Sequence, residues 1–160
     1  MQNFFQKGID MIPTLPLTLD HYYFENIKII ANPKYDFDDD EINGDPIDLD
    51  MDFFITEDES MIEYILKLNV AKSASDFKVL PYRISAEFHA WFTLPYLQEE
   101  EAEDLEKGAR AFVDGFSISY SALRDALFQA TLTCANGEFM LPILNVFEYL
   151  KSNPKLNQFN

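Results

Sequence analysis

The residues able to do chemistry here are carboxylates, two histidines and one cysteine, and their spacing decides which chemistry is open. The run Asp36, Asp38, Asp39, Asp40, Glu41 invites a calcium reading. A calcium loop places oxygen ligands at alternate positions, a glycine at the sixth and a glutamate at the twelfth. Counted from Asp36, the third and fifth positions are Asp38 and Asp40, but the sixth is Glu41 and the twelfth Ile47. The template fails at both positions that enforce geometry, so a solvated acidic loop is the better reading. Zinc needs clustered cysteine and histidine, whereas His21, His89 and Cys134 are scattered. Cys134 and His89 could be imagined as a nucleophile and its base, but Cys134 falls on an apolar helical stripe, where thiols are inert. The 28 acidic residues single out no glycosidase-type pair. No phosphate-binding loop, dinucleotide fingerprint or nucleophile elbow occurs. The expectation is a non-enzyme, with no catalytic residue, no metal and no cofactor.

Composition narrows the class further. A chain of 160 residues is long enough for one domain with a real core. Its hydrophobic fraction of 48% excludes a disordered, solvating protein despite the acidity. The 15 phenylalanines are enough that either the core is unusually aromatic or some rings line an interface or apolar groove. A net charge of −16 repels nucleic acid and anionic membranes, favours basic partners and keeps a sticky surface soluble. The single cysteine permits no disulfide within the chain, which fits the cytoplasm. No signal peptide and no membrane insertion are expected.

The elements follow from period and punctuation. Residues 1–18 form an apolar arm with Ile9, Met11, Ile12, Leu15 and Leu17, in which Pro13 and Pro16 oppose a helix. His21 to Ile30 reads as a strand. Asp48 to Thr56 alternates, with Asp48, Asp50 and Asp52 on one side and Leu49, Met51, Phe53 and Ile55 on the other. Ser60 to Ser73 repeats the pattern with Ile62, Tyr64, Leu66, Leu68 and Val70, and 73–78 reads as a turn. Tyr82 to Leu94 alternates again. Four strands with no helix between them predict an antiparallel sheet. A short helix is predicted to end near Arg110, weakened by Gly108. After Gly115, a 3.6-residue stripe of Phe116, Tyr120, Leu123, Leu127, Ala130, Thr131 and Cys134 predicts the main helix, stopped by Asn136 and Gly137. Leu141-Pro142-Ile143 reads as extended, and Asn145 caps a last helix to Lys151. Strands first and helices after is the order of an α+β domain with helices on one face of the sheet. The division expected is an arm at 1–18, one domain at 19–151 and a loose tail at 152–160.

The stretch Phe116-Ser117-Ile118-Ser119-Tyr120-Ser121-Ala122-Leu123-Arg124, then Gly137 and Leu141-Pro142-Ile143-Leu144-Asn145-Val146-Phe147, resembles the SecB family of protein-export chaperones. The resemblance covers about residues 20–151. It departs where the family places a proline before the long helix and this chain has Ser117, Ser119 and Ser121. It implies a four-stranded antiparallel sheet backed by helices and assembled as a dimer of dimers, a homotetramer. It also implies an ATP-independent holdase that keeps preproteins or other unfolded client polypeptides from folding, and contact between an acidic sheet face and the SecA translocase motor. On this footing, Phe112, Phe116, Leu141, Ile143 and Phe147 are the expected client groove, against the alternative that each is ordinary core. Asp50, Asp52, Glu63 and Glu87 are the expected acidic docking face, against plain solvation. Two other functions remain open: a SecB-like chaperone dedicated to a toxin–antitoxin system, and an acidic interaction or inhibitor protein that binds no clients.

Overall fold

The computed structural model describes residues 17–36, 46–57, 60–93 and 105–152, the side chains of 105–112, 147 and 150 excepted. The strands β1 (Thr18–Ala31), β2 (Ile47–Ile55), β3 (Met61–Val70) and β4 (Tyr82–Thr93) form one sheet in the order β1-β4-β3-β2, with every neighbouring pair antiparallel. The helices are α1 (Ala74–Val79), α2 (Leu105–Thr131) and α3 (Val146–Ser152). The α+β class and the four-stranded antiparallel sheet expected from the alternating patterns are both present.

The alternation is real because one face of the sheet is buried. On β3, Ile62, Tyr64, Leu66, Leu68 and Val70 are buried, and on β4, Tyr82, Ile84, Ala86, Phe88, Ala90 and Phe92. Against them α2 lays Phe116, Tyr120, Leu123 and Leu127. Each such side chain contributes roughly 1.5–3 kcal/mol by leaving water. Tyr64 and Phe92 meet edge to face at 5.4 Å, a favoured aromatic geometry. Two stripe positions depart from expectation: Ala130 is exposed, and Cys134 lies beyond the helix end.

Three element assignments are corrected by the structure. The 73–78 turn is a helix, α1, whose N-cap Ser73 accepts a hydrogen bond from the amide of Asp76 at 3.0 Å. A helix of six residues is too short to display a 3.6 period, and so the antiparallel prediction survives an intervening helix. The strand beginning at His21 starts three residues earlier, at Thr18. The two helices expected on either side of Gly115 are one helix of 27 residues. Gly115 does not punctuate it. A Cβ there would stand 2.5 Å from the Tyr64 hydroxyl and 2.8 Å from Leu17 Cδ1, so glycine lets the helix sit down on the sheet.

Beyond α2 the chain is held by a polar clasp. The Asn136 amide group donates to the carbonyls of Asn32 (2.9 Å) and Pro81 (2.7 Å). Asn32 donates to the carbonyls of Phe77 (2.7 Å) and Leu80 (3.0 Å). The Tyr82 hydroxyl accepts from the Asn136 amide and donates to the Gly137 carbonyl at 2.6 Å. Gly137 adopts φ +77°, which glycine alone takes without strain. This clasp joins the end of β1, the start of β4 and the exit from α2.

Two outcomes test this packing. Gly115→Ala should lower stability by about 1–3 kcal/mol through overpacking, read as a shifted denaturant midpoint. Burial, with the charge of Asp114 as a lesser cause, holds the Tyr64 phenol above the ordinary tyrosine value. Burial also raises Tyr120, against the opposing charge of Arg124. A raised phenol pKa means that the fold keeps the proton the unfolded chain would lose. Stability is therefore whole below the unfolded value, about 10, and declines as pH climbs past it. Alkaline unfolding followed by circular dichroism should begin near that pH, and Tyr64→Phe should move its onset upward.

Candidate functional site

After the clasp, residues 138–145 run without regular structure alongside α2, and helix side chains hold them by their backbone. The Phe139 amide donates to Thr131 Oγ1 at 2.7 Å. Arg124 Nε donates to the Leu141 carbonyl at 2.6 Å, and the Tyr120 hydroxyl donates to the Pro142 carbonyl at 2.8 Å. Phe139 and Leu141 turn into the core, Leu141 completely. Met140 and Ile143 turn out, 50% and 87% exposed. The result is an irregular backbone fixed by hydrogen bonds, with apolar side chains in water. Beside it, Ser117, Ser121 and Arg124 of α2 and Ile143, Leu144 and Val146 line an open cleft. Asn145 caps α3 by accepting from the Glu148 amide at 3.3 Å, as its position predicts.

The structure separates the five residues expected to line a groove. Ile143 lies at the cleft, in water. Phe116 and Leu141 are fully buried, so in this chain they hold α2 and the irregular segment onto the sheet. Phe116 also stacks on Tyr149 at 5.3 Å between centroids. The side chains of Phe112 and Phe147 lie outside the described residues. Met140 was not foreseen, and neither was the backbone-holding role of Tyr120, Arg124 and Thr131. The helical spacing of those three was the available signal.

The outward sheet face is built in rows by the register. Phe54, Glu63, Trp91 and His21 form one row, Asp52, Ile65, His89 and Tyr23 the next, and Asp50, Lys67, Glu87 and Asn26 a third. All four expected carboxylates are therefore on this face, but it is not uniformly acidic. His89 is 8% exposed, with Tyr23 stacked on it at 5.1 Å. Its Nδ1 pairs with Glu63 and its Nε2 with Glu87 at 3.3 Å. Lys67 pairs with Asp52 at 3.4 Å, and the Asp50 carboxylate accepts from the Met51 amide at 3.0 Å. The imagined Cys134–His89 pair is not formed, since both ring nitrogens of His89 face carboxylates and Cys134 Sγ donates to the Ala130 carbonyl. Among the described residues no group of three or more His, Cys, Asp or Glu side chains could hold a metal. Most of the acidic run, 37–41, lies outside them. No helix among them is long and apolar enough to cross a membrane.

The edge strand β2 is partly shielded. The Tyr149 hydroxyl donates to the Leu49 carbonyl at 2.7 Å, while Asp50 takes the next outward amide. Both occupy groups that would otherwise invite another strand.

No protein-family model matches the sequence, and no curated protein matches it. Among solved structures, the chain is similar to the SecB-like chaperone Rv1957 of Mycobacterium tuberculosis, determined in complex with a ChAD peptide from the Rv1956 HigA1 antitoxin. The TM-score is 0.53 and the identity 15%, covering 81% of this chain and 91% of that one. A protein of unknown function from Streptococcus agalactiae aligns with a TM-score of 0.44 at 10% identity, over 79% of this chain and 97% of that one. The first likeness shows that the fold is SecB-like.

Two substitutions should separate built from decorative charge. His89→Leu leaves Glu63, whose side chain is 13% exposed, without its partner, and should lower stability by about 1–3 kcal/mol. Lys67→Ala breaks a pair exposed by 47% and 38%, and should change stability by about 0–1 kcal/mol. Equilibrium denaturation of both variants measures the contrast.

Proposed function

We propose that this protein is an ATP-independent holdase that binds extended apolar stretches of unfolded polypeptide along residues 138–146 and the adjoining α2 cleft. The observation that carries the reading is the pinned irregular segment itself. Its backbone is fixed by Thr131, Arg124 and Tyr120 while Met140 and Ile143 stand in solvent. A chain-holding protein needs apolar contacts without placed donors, because its clients share no sequence, and methionine suits such loose recognition. The net charge of −16 keeps such a surface dispersed. Within this reading Ile143 is a client contact, joined by Phe112 and Phe147, and the protein works in the cytoplasm as a dimer of dimers.

The client class divides the reading. General export would deliver preproteins to a SecA-type motor through Asp50, Asp52, Glu63 and Glu87. A toxin–antitoxin role would hold one dedicated peptide. The antitoxin peptide bound by the Mycobacterium tuberculosis chaperone favours the second. All four carboxylates already have partners on the protein, Glu63 and Glu87 on His89, Asp52 on Lys67 and Asp50 on the Met51 amide, so a basic docking partner would compete with those contacts.

Suppression of aggregation of a chemically unfolded protein at moderate salt tests the proposal. The expected result is suppression near one assembly per client. Met140→Asp with Ile143→Asp should weaken client binding about tenfold or more, given 1.5–3 kcal/mol per buried apolar side chain. Because Met140 Sδ accepts from Arg124 Nη2 at 2.9 Å, the single variant Ile143→Asp, which leaves that contact alone, should show the same direction of effect with folding unaffected. No suppression, together with tight salt-sensitive binding to a basic protein, would instead establish an acidic interaction protein.

A further inference from the structure

The cleft beside α2 holds a cation and no anion. Ser117, Ser121 and Arg124 stand four and three residues apart, so they share one face of the helix. Among the described residues that line the cleft, Arg124 alone is charged. No carboxylate of a described residue pairs with it. The ion pairs formed among those residues use Lys67 with Asp52, Lys151 with Glu148, and the two histidines. In a chain with 28 acidic residues and 12 basic ones, chance would favour the opposite. Asp125 follows directly, but adjacent helix positions do not face each other.

Arg124 is also held in place. Its Nε donates to the Leu141 carbonyl at 2.6 Å and its Nη2 to Met140 Sδ at 2.9 Å. A guanidinium has five N–H donors, so most of them remain for a ligand. A fork anchored in this way loses little freedom on forming a further pair, and its geometry matches a carboxylate. Apolar surface stands beside it, since Met140 is 50% exposed and Ile143 is 87% exposed. The cleft is open, so a polypeptide can pass along it and present a side chain. Elsewhere the net charge of −16 repels acidic polypeptide. Only a cation within the screening length of about 8–10 Å reverses that repulsion at physiological salt.

We propose that Arg124 and its cleft form a subsite for an aspartate or glutamate side chain of a bound polypeptide, with the apolar neighbours of that acid resting on Met140 and Ile143. The subsite rests on the holdase reading and gives it a selectivity: apolar stretches that carry an acid. The test uses fluorescently labelled peptides rich in leucine and valine, blocked at both ends, with one central glutamate or glutamine. Fluorescence anisotropy with the unaltered chain reads their affinities. The glutamate peptide should bind about three- to tenfold tighter at low salt. That advantage should shrink as salt rises from about 0.05 M to about 0.5 M. The field of the whole chain, acting alone, would favour the glutamine peptide, and salt would then help the glutamate one. That result, or equal affinity, would overturn the subsite and leave the holdase reading standing. Ser121→Glu sets a competing carboxylate three residues before Arg124, at an exposed position that makes none of the bonds holding Arg124. It should abolish the advantage while changing glutamine-peptide affinity by no more than about twofold. A preference that survives this variant would overturn the assignment to Arg124. A glutamine peptide with a free C-terminal carboxylate should gain less than the central glutamate does. An equal or larger gain would overturn the choice of a side chain as the ligand. Failure of both blocked peptides to bind would overturn the subsite and the holdase reading together.

Discussion

One helix has to roof a sheet wider than itself. Four strands span about 19 Å across, whereas a helix with its side chains is about 10–12 Å in diameter. Placed over β3 and β4, α2 buries the two central strands and leaves both flanks short of cover. Its close approach depends on Gly115, where Tyr64 and Leu17 fill the space of a side chain. The fold answers the shortage differently on its two sides. Toward β2, α3 adds a second, narrower cover, with Tyr149 reaching the Leu49 carbonyl, and residues 138–145 lead into it along α2. Toward β1, the described residues supply no equivalent, and Tyr22 and Ile27 stay partly in water.

That asymmetry locates the apolar surface that a chain-holding protein requires. The irregular chain of residues 138–145 would carry unsatisfied carbonyls if it lay on the helix unaided. Arg124 and Tyr120 answer two of them, and Thr131 takes an amide. The clasp of Asn32, Asn136 and Tyr82 fixes the point at which this segment begins. Apolar side chains can then stand exposed without the backbone collapsing over them. Exposure and rigidity, usually opposed, coexist because the polar bonds are made by the main chain.

Much of this was legible where a single face is buried. The alternation of Met51, Tyr64, Leu66, Phe88 and Phe92 reports directly which way each strand faces. The first strand resists such reading. Tyr22 and Tyr23 are adjacent aromatics on opposite faces, and register shifts between Leu19 and His21 and between Phe24 and Asn26 break the period. Gly108 and Gly115 suggested an interrupted helix because local propensity carries no knowledge of Tyr64. The carboxylates of the outward face could be placed but not partnered, since Glu63 and His89 are 26 residues apart in sequence. Family likeness points to Phe116 and Leu141 as groove, whereas the helical stripe containing Phe116 points to the core, and both side chains are buried.

The helix grips the segment through the Phe139 amide and the Leu141 and Pro142 carbonyls, a hold that does not involve the side chain of Ile143, while Arg124 Nη2 also donates to Met140 Sδ at 2.9 Å. Substitution at Ile143 alters the surface and leaves that grip intact. The side chain at 143 can therefore change in size or polarity without rearranging the architecture beneath it. Tyr120, Arg124 and Thr131 are the side chains that hold the platform still.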